Sequence, residues 1–577
     1  MRSITGAVHV ATIRRQYKDR VYETHLLRQS YREGGKAKNR TLGNLSHLPA
    51  ETLDLVRRNL AGERFVSASS DLVLLRSLGH GHVVAVLGLL RQLGLEQIID
   101  ARRSRQRDLC VALIAAQLLH HLSKLGTTRA WGDTTLPTLL DVGDADEDEL
   151  YAALDWLFER QQRIESKLAA QHLGEGAVVL YDLSSSYVEG RHCPLAKLGY
   201  SRDGRQGTLQ IEYGLVTDAE GRPIAVEVVE GNTGDPATVA ALVEKLKVRF
   251  GLREVVLVGD RGMLTSARIE ALRATGGVAW ISALRGPQIR ALVESGSLQL
   301  GIFDERNLAE IRDPAYPGER LVVCKNPLLA EERARKREDL LQATEAKLAP
   351  IVAAVTAGRL HGAAAIGLRL GKVLGRHKVG KHFDLVITDT SLTVTRKLAE
   401  IAAEAALDGI YVVRTSLAED RLDSAAVVRT YKRLSHVERA FRSLKSVDLR
   451  VRPIRHWRED RVRAHVLLCM LAYYVQWHLE RAWASLLFRD EDRPSPDDPV
   501  APAQRSAAAQ LKARTQRLED GTPVHDLHTL LGHLRSLTRN HMALARVPEA
   551  PAFEVTSKPT PLQARALSLL GLTPTTL

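Results

Sequence analysis

Short runs of β-branched and aromatic residues open the chain, with Val8, Val10, Ile13, Val21, Tyr22 and Tyr31 set around the turn-like Tyr17-Lys18-Asp19-Arg20. This pattern predicts hairpin strands over residues 8–32. Over residues 71–173 the apolar period becomes helical, as in Val83-Val84-Ala85-Val86-Leu87-Gly88-Leu89-Leu90 and along 109–122, and predicts a helical domain. At Ala177 it switches again. Residues 177–182 read as a buried strand ending in Asp182, 209–217 and 223–229 as two strands joined by Asp218-Ala219-Glu220-Gly221, and 236–250 as a helix. A second buried strand at 255–260 ends in Asp260, and a helix near 266–274 and a strand at 278–283 follow, so the predicted order is β-β-β-α-β-α-β.

Residues 285–425 read as an insertion, with a β-hairpin over 298–323, a basic helix over 330–355 and mixed segments after it. A long, largely apolar helix is predicted over 461–487, a Pro- and Asp-rich linker over 490–503, and short helices with one strand in the tail. The predicted domains are 1–70, a basic β-hairpin segment; 71–175, helical; 176–284 with 426–490, an α/β core; 285–425, the insertion; and 491–577, linker and C-terminal region.

Between insertion and long helix, residues 431–445 predict a helix with two adjacent faces. Leu434, Val437, Phe441 and Leu444 recur at three- and four-residue spacing and form a stripe to be buried. Tyr431, Glu438 and Lys445 are seven apart, a spacing that drifts only about 20° per step around a helix, so a carboxylate sits between a phenol and an ammonium. The alternative is an amphipathic surface helix with Glu438 paired to Arg442 at i,i+4.

Two other carboxylates change that picture. Asp182 and Asp260 each follow an apolar strand; one such Asp is ordinarily a turn or cap residue, but two on neighbouring strands, with Glu438 on a helix flanking the same sheet, can converge. Three crowded carboxylates repel and raise one another's pKa, which a hard divalent cation relieves, and oxygen-only ligands select Mg²⁺ or Mn²⁺ over Zn²⁺. Without metal, repulsion splays the three slightly. Two such ions, about 3.5–4 Å apart, activate a water or 3′-hydroxyl for in-line attack on phosphorus.

Composition adds a partner. The 577 residues are 45% hydrophobic and 26% charged, an ordinary globular balance too long for one core. The net charge of +13 and pI near 9.6 point to a polyanion, with nucleic acid first. Cys110, Cys193, Cys324 and Cys469 are scattered, indicating neither zinc ribbon nor disulfide framework. The start lacks the apolar core of a signal peptide, and the longest apolar run, 466–475, is far short of the roughly 20 residues of a span, so the expectation is a cytoplasmic, nucleoid-associated protein with no membrane partner.

Several motifs taken together carry a resemblance: Tyr181-Asp182-Leu183-Ser184-Ser185-Ser186-Tyr187-Val188-Glu189-Gly190, Gly199-Tyr200-Ser201-Arg202-Asp203, Gly231-Asn232-Thr233-Gly234-Asp235, Val258-Gly259-Asp260-Arg261-Gly262-Met263, and the 431–445 helix. Over about 177–470 the chain resembles bacterial insertion-sequence transposases of the DDE class, in the branch marked by a Tyr-Arg-Glu-Lys signature. The resemblance implies a ribonuclease H-like mixed sheet flanked by helices, with the insertion placed before the last catalytic helix. It implies Asp182, Asp260 and Glu438 as the triad holding two Mg²⁺ or Mn²⁺ ions, and Tyr431 and Lys445 as phosphate contacts at the element's ends. The signature Arg falls at Leu434, so its role is vacant or belongs to Arg433 or Arg442. The implied partners are the terminal inverted repeats and target DNA, and pairing two ends implies a homodimer in the DNA complex.

Other basic groups remain open between DNA contact and solvated charge: Arg14, Arg15, Lys18, Arg20, Arg28, Arg32, Lys36, Lys38 and Arg40 in the hairpins, Arg102, Arg103, Arg105 and Arg107, and Arg369, Lys372, Arg376, Lys378 and Lys381 in the insertion. Arg452 and His456, before the long helix, are candidates to line the DNA groove. Glu189 reads as a strand-end surface carboxylate, Trp280 as core, and His192-Cys193 as a loop dipeptide. The expected activity is DNA cleavage and strand transfer; the alternatives are a ribonuclease H-like nuclease that does not rejoin, and a decayed copy that only binds DNA.

Overall fold

The computed structural model describes residues 7–63, 65, 72–301, 303–545 and 551–577; the expected boundary at 70/71 lies outside these. The chain divides into two compact units, one formed by residues up to Ser77 with Arg539–Ser557, the other by Leu78–Thr538 with Lys558–Leu577.

In the first unit β1 (Val8–Tyr17), β2 (Arg20–Glu33) and β3 (Lys36–Asn44) form an antiparallel meander. The predicted hairpin is present: Tyr17 pairs with Arg20 around a two-residue turn, and Gly34 and Gly35 close the next one, both at positive φ. None of the three strands holds a fully buried residue. Helix Ala50–Leu60 buries Leu53, and its Arg57 donates to Thr12 Oγ1 at 2.8 Å. A second sheet sets β4 (Leu72–Gly79) beside strands Thr538–Leu544 and Phe553–Thr556, so the tail supplies two strands where the sequence suggested one.

The second unit begins as the predicted helical block. Helix Gly81–Gln92 is apolar on all sides and accordingly buried over residues 81–90. Helices Arg105–Leu119, Lys124–Ala130 and Glu147–Glu159 start at Ser104, Ser123 and Asp146, whose side chains accept from backbone N–H groups left free at the first turn. Helices Gly81–Gln92, Arg105–Leu119 and Glu147–Glu159 pack on helix Glu459–Ala482, the predicted long apolar helix, whose buried positions cover every side. No single helix among the described residues is long and apolar enough to cross a membrane.

Against this block lies a nine-stranded mixed sheet. Its strands are β5 (Ala177–Tyr187), β6 (Lys197–Leu198), β7 (Leu209–Thr217), β8 (Pro223–Glu230), β9 (Val255–Val258), β10 (Val278–Ala283), β11 (Leu308–Ile311), β12 (Arg320–Lys325) and, after an excursion through the two-stranded pair β13 (Phe383–Ile387) and β14 (Leu392–Arg396), β15 (Ile410–Thr415). The spatial order is β11-β12-β15-β10-β9-β5-β7-β6, with β8 on β7. β5, β9 and β10 run parallel; the other pairings are antiparallel. The order β-β-β-α-β-α-β is present, with helices Asp235–Glu244 and Ser266–Thr275 between strands, and the sheet is wider than the sequence suggested because residues 308–325 and 410–415 join it.

What stands apart from the sheet is the segment between β12 and β15. Lys325 and Ile410 are Cα partners, and Asn326 N donates to Gly409 O at 2.9 Å, so this segment leaves and returns at one neck. Helix Pro327–Thr356 matches the predicted basic helix and packs Leu348, Ile351 and Val355 against Ile366, Leu370 and Leu392.

Candidate active site

Asp182 lies within β5, not at its end. The strand runs on through Ser184-Ser185-Ser186, with two of the hydroxyls satisfied: Ser186 Oγ bonds Tyr213 OH at 3.0 Å, and Ser185 Oγ accepts from Arg202 N at 3.0 Å. A polar run that reads as a loop is a buried strand once cross-strand partners exist. The Tyr181 ring lies over Gly214, two residues along β7 from its own partner Val216, and a Cβ on that glycine would overlap the phenol ring.

Asp260 follows β9 by two residues, in a turn where its Oδ1 accepts from Gly262 N at 2.8 Å and Met263 N at 2.9 Å. β5 and β9 are adjacent, paired from Ala177↔Val255 to Leu180↔Val258, and Asp182 and Asp260 each follow the last pair by two residues.

Glu438 arrives on the predicted helix, which is longer and interrupted. Asp423 caps it by accepting from Ala426 N at 2.7 Å; it runs Ser424–Lys432, turns at Arg433, resumes over Leu434–Arg442 and ends in a π-turn over Ser443–Val447. Val437, Phe441 and Leu444 are buried, Phe441 edge-on to Tyr213 at 5.7 Å, while Leu434 is half-buried. The stripe therefore packs this helix beside β5 and leaves Glu438 exposed on the neighbouring face. Glu438 makes no ion pair with Arg442 among the described residues.

These side chains share one electrostatic field. Asp182 is pushed up to about 7, chiefly by burial and then by the charges of Asp260 and Glu438, while Leu183 N, donating at 2.8 Å, and Arg202 act the other way. Tyr431 is pushed up to about 12 by burial and by Asp260, Glu438 and Asp182, so its phenol keeps its proton. No group of three His, Cys, Asp or Glu among the described residues stands at metal-holding spacing. The donor chemistry nevertheless fits a hard divalent cation: oxygen-only groups, carrying negative charge that their surroundings leave poorly neutralised.

The remaining sequence candidates fall elsewhere. Lys445 is buried and paired to Asp203 at 2.9 Å; Arg452 pairs with the same carboxylate, whose other oxygen accepts from Tyr187 N at 3.2 Å. Asp203 is 1% exposed, so it and the two cations form a closed cluster at the end of β5. His456 packs edge-on to Tyr151 at 6.1 Å and against His465 at 5.1 Å, and burial pushes its imidazole down to about 3. Arg442 is exposed. Of the other expectations, Trp280 is core and Glu189 a surface carboxylate paired to Arg455 at 3.2 Å.

Sequence reasoning assigned no role to Arg202, Asp203, Asp235 or Glu212. Arg202 pairs with Asp235 and lies 3.5 Å from Glu212, and Glu212 is pushed up to about 7 by burial although Arg202 pulls it down. Asp235 also approaches Asp260: a Cβ on Gly262 would stand 3.3 Å from Asp260 Oδ1 and 3.6 Å from Asp235 Oδ2. The available signal for Glu212 was a carboxylate interrupting the apolar β7 run.

A search of curated proteins finds no match to the chain. Among solved structures it is similar to one described as the cryo-EM structure of piggyBac transposase synaptic complex with hairpin DNA, at 10% identity and a TM-score of 0.34, over 69% of this chain and 75% of that one. The family model "IS1634 family transposase, N-terminal domain" matches residues 10–69, and "Transposase DDE domain" matches residues 177–475, more than half of the chain and the stretch that carries Asp182, Asp260 and Glu438. The chain belongs to the DDE transposases of bacterial insertion sequences.

Proposed function

We propose that this transposase cuts DNA at the ends of its own element and joins the freed ends to target DNA, using Asp182, Asp260 and Glu438 on a ribonuclease H-like core to hold two Mg²⁺ or Mn²⁺ ions. The observation that carries the reading is the pairing of β5 with β9, which stops two residues before Asp182 and two before Asp260, together with the response of Asp182 to the charges of Asp260 and Glu438.

Bound metal would supply an activated water or 3′-hydroxyl and stabilise the departing oxygen. The protein's part is positioning. On this reading β5 and the turn after β9 present two of the carboxylates and the helix packed on β5 presents the third. Tyr431, protonated in this field, would donate its phenolic hydrogen to a phosphate oxygen. The net charge of +13 and the exposed basic strands β1–β3 favour a polyanionic partner, and the paired ends of an element call for two copies of the chain on DNA.

The test is Glu438→Gln, which keeps size and helix propensity but removes the charge. Binding to terminal-repeat DNA should persist while cleavage and joining in Mg²⁺ fall by orders of magnitude, since each 1.36 kcal/mol of lost transition-state stabilisation is about tenfold in rate. Wild-type cleavage by this variant would remove Glu438 from the site.

A further inference from the structure

Arg202 occupies an unusual position among the charges around β5. Its backbone is fixed by the bond from its N–H to Ser185 Oγ, three residues along β5 from Asp182. Its guanidinium pairs with Asp235, faces Glu212 at 3.5 Å and carries its charge near Asp182. Two other cations nearby, Lys445 and Arg452, are taken up by Asp203. Arg202 is thus left to a cluster of carboxylates: it contacts Glu212 and Asp235, and Asp182 lies within reach of its charge.

The guanidinium is also incompletely held. Arg202 Nη1 and Glu212 Oε2 are both buried and, among the described residues, neither has a hydrogen-bond partner, although they face each other at ion-pair separation. A fully satisfied bidentate pair would be a fixed strut. One with an idle donor and an idle acceptor can shift.

We propose that Arg202 is the resident counter-ion of this cluster, a positioning residue that neutralises Asp182, Glu212 and Asp235 while no metal is bound, and with which an arriving divalent cation competes. The proposal rests on Asp182 being a metal ligand. It explains how β5 carries a carboxylate among its buried residues before metal binds: a tethered charge offsets part of the repulsion and yields ground as the ion enters.

The experiment uses the full-length protein without DNA and Mn²⁺ alone as probe, with affinity read from the free-Mn²⁺ paramagnetic signal and stability from thermal unfolding. Arg202→Met keeps the stem and removes the charge. It should lower the metal-free Tm, recover most of that loss in Mn²⁺, and bind Mn²⁺ on the order of tenfold more tightly, because a unit charge within several ångströms of a partly buried ion is worth at least the 1.4 kcal/mol that a factor of ten requires. Arg202→Lys should stay near wild type. Glu212→Gln, which releases Arg202 toward Asp182, should bind Mn²⁺ more weakly, and it decides the matter if Arg202→Met does not fold. A scaffold residue would instead lower Tm equally with and without Mn²⁺ and leave affinity unchanged; that result, or unchanged affinity in Glu212→Gln, overturns the proposal. If Asp182→Asn binds Mn²⁺ as the wild type does, the metal-site reading itself fails and the counter-ion goes with it.

Discussion

Asp182 lies mid-strand among buried neighbours, with two further carboxylates in its field, and each of these circumstances favours its protonated form. With a folded pKa of about 7, above the usual carboxylate value, its contribution to stability is full in acid and is lost as pH rises through about 7. Asp182→Asn retains an oxygen for the bond from Leu183 N and removes the charge. It should therefore raise the Tm of the metal-free protein at pH 8 and raise it much less at pH 5, where the wild-type carboxyl already carries its proton. Calorimetry at the two pH values checks this; an equal gain at both would mean that charge is not the cause. Individual residues were also where the sequence was least legible. The even spacing of Tyr431, Glu438 and Lys445 is broken by the turn at Arg433 and the π-turn over Ser443–Val447, and Lys445 is claimed by Asp203, 242 residues away, and His456 by Tyr151 and His465. Helical periodicity tells which residues share a face and nothing of what the rest of the fold brings to that face.

At the scale of elements, the legible features were those with a strong local signal. The apolar runs ending in Asp182 and Asp260, the helices between strands and the buried stripe of Val437, Phe441 and Leu444 all recur in the structure. The illegible ones depend on partners distant in sequence: the continuation of β5 through three serines needs Tyr213 and Arg202, and the addition of β11, β12 and β15 to the sheet needs pairing with strands far along the chain. The β5–β7 pair also carries a specific fit, since Leu183 stands opposite Gly214 and the Tyr181 ring lies over that glycine. Gly214→Ala should push the ring off β7 and cost about 1–3 kcal/mol of stability, as overpacking does. Because Tyr181 adjoins Asp182, the shift should also lower cleavage. Urea unfolding at full length measures the first effect, and unchanged stability would show that the strand pair has more room than its geometry implies.

For the whole molecule, the helical block, the central strands β5, β7, β8, β9 and β10 of the sheet and the exposed basic strands of the first unit each followed from hydrophobic period and charge. The extent of the excursion did not: the reading of 285–425 as one insertion joined strands that belong to the sheet with a segment that does not. The narrow neck at Asn326 and Gly409 separates them, and Arg337 and Asp408 pair just beyond it. A segment whose two ends are neighbours in one ladder, roughly 5 Å apart, is topologically a graft. It can be excised without asking β12 and β15 to move, and its private cores around Leu348 and Phe383 would leave with it. Replacing residues 327–408 by a short Asn-Gly turn should yield a shorter transposase whose sheet folds cooperatively and still binds Mn²⁺ through Asp182. Aggregation of that protein would show that the sheet leans on its guest. Cooperative folding would mean that evolution can exchange this segment wholesale, fitting one cutting engine with different hands for different elements.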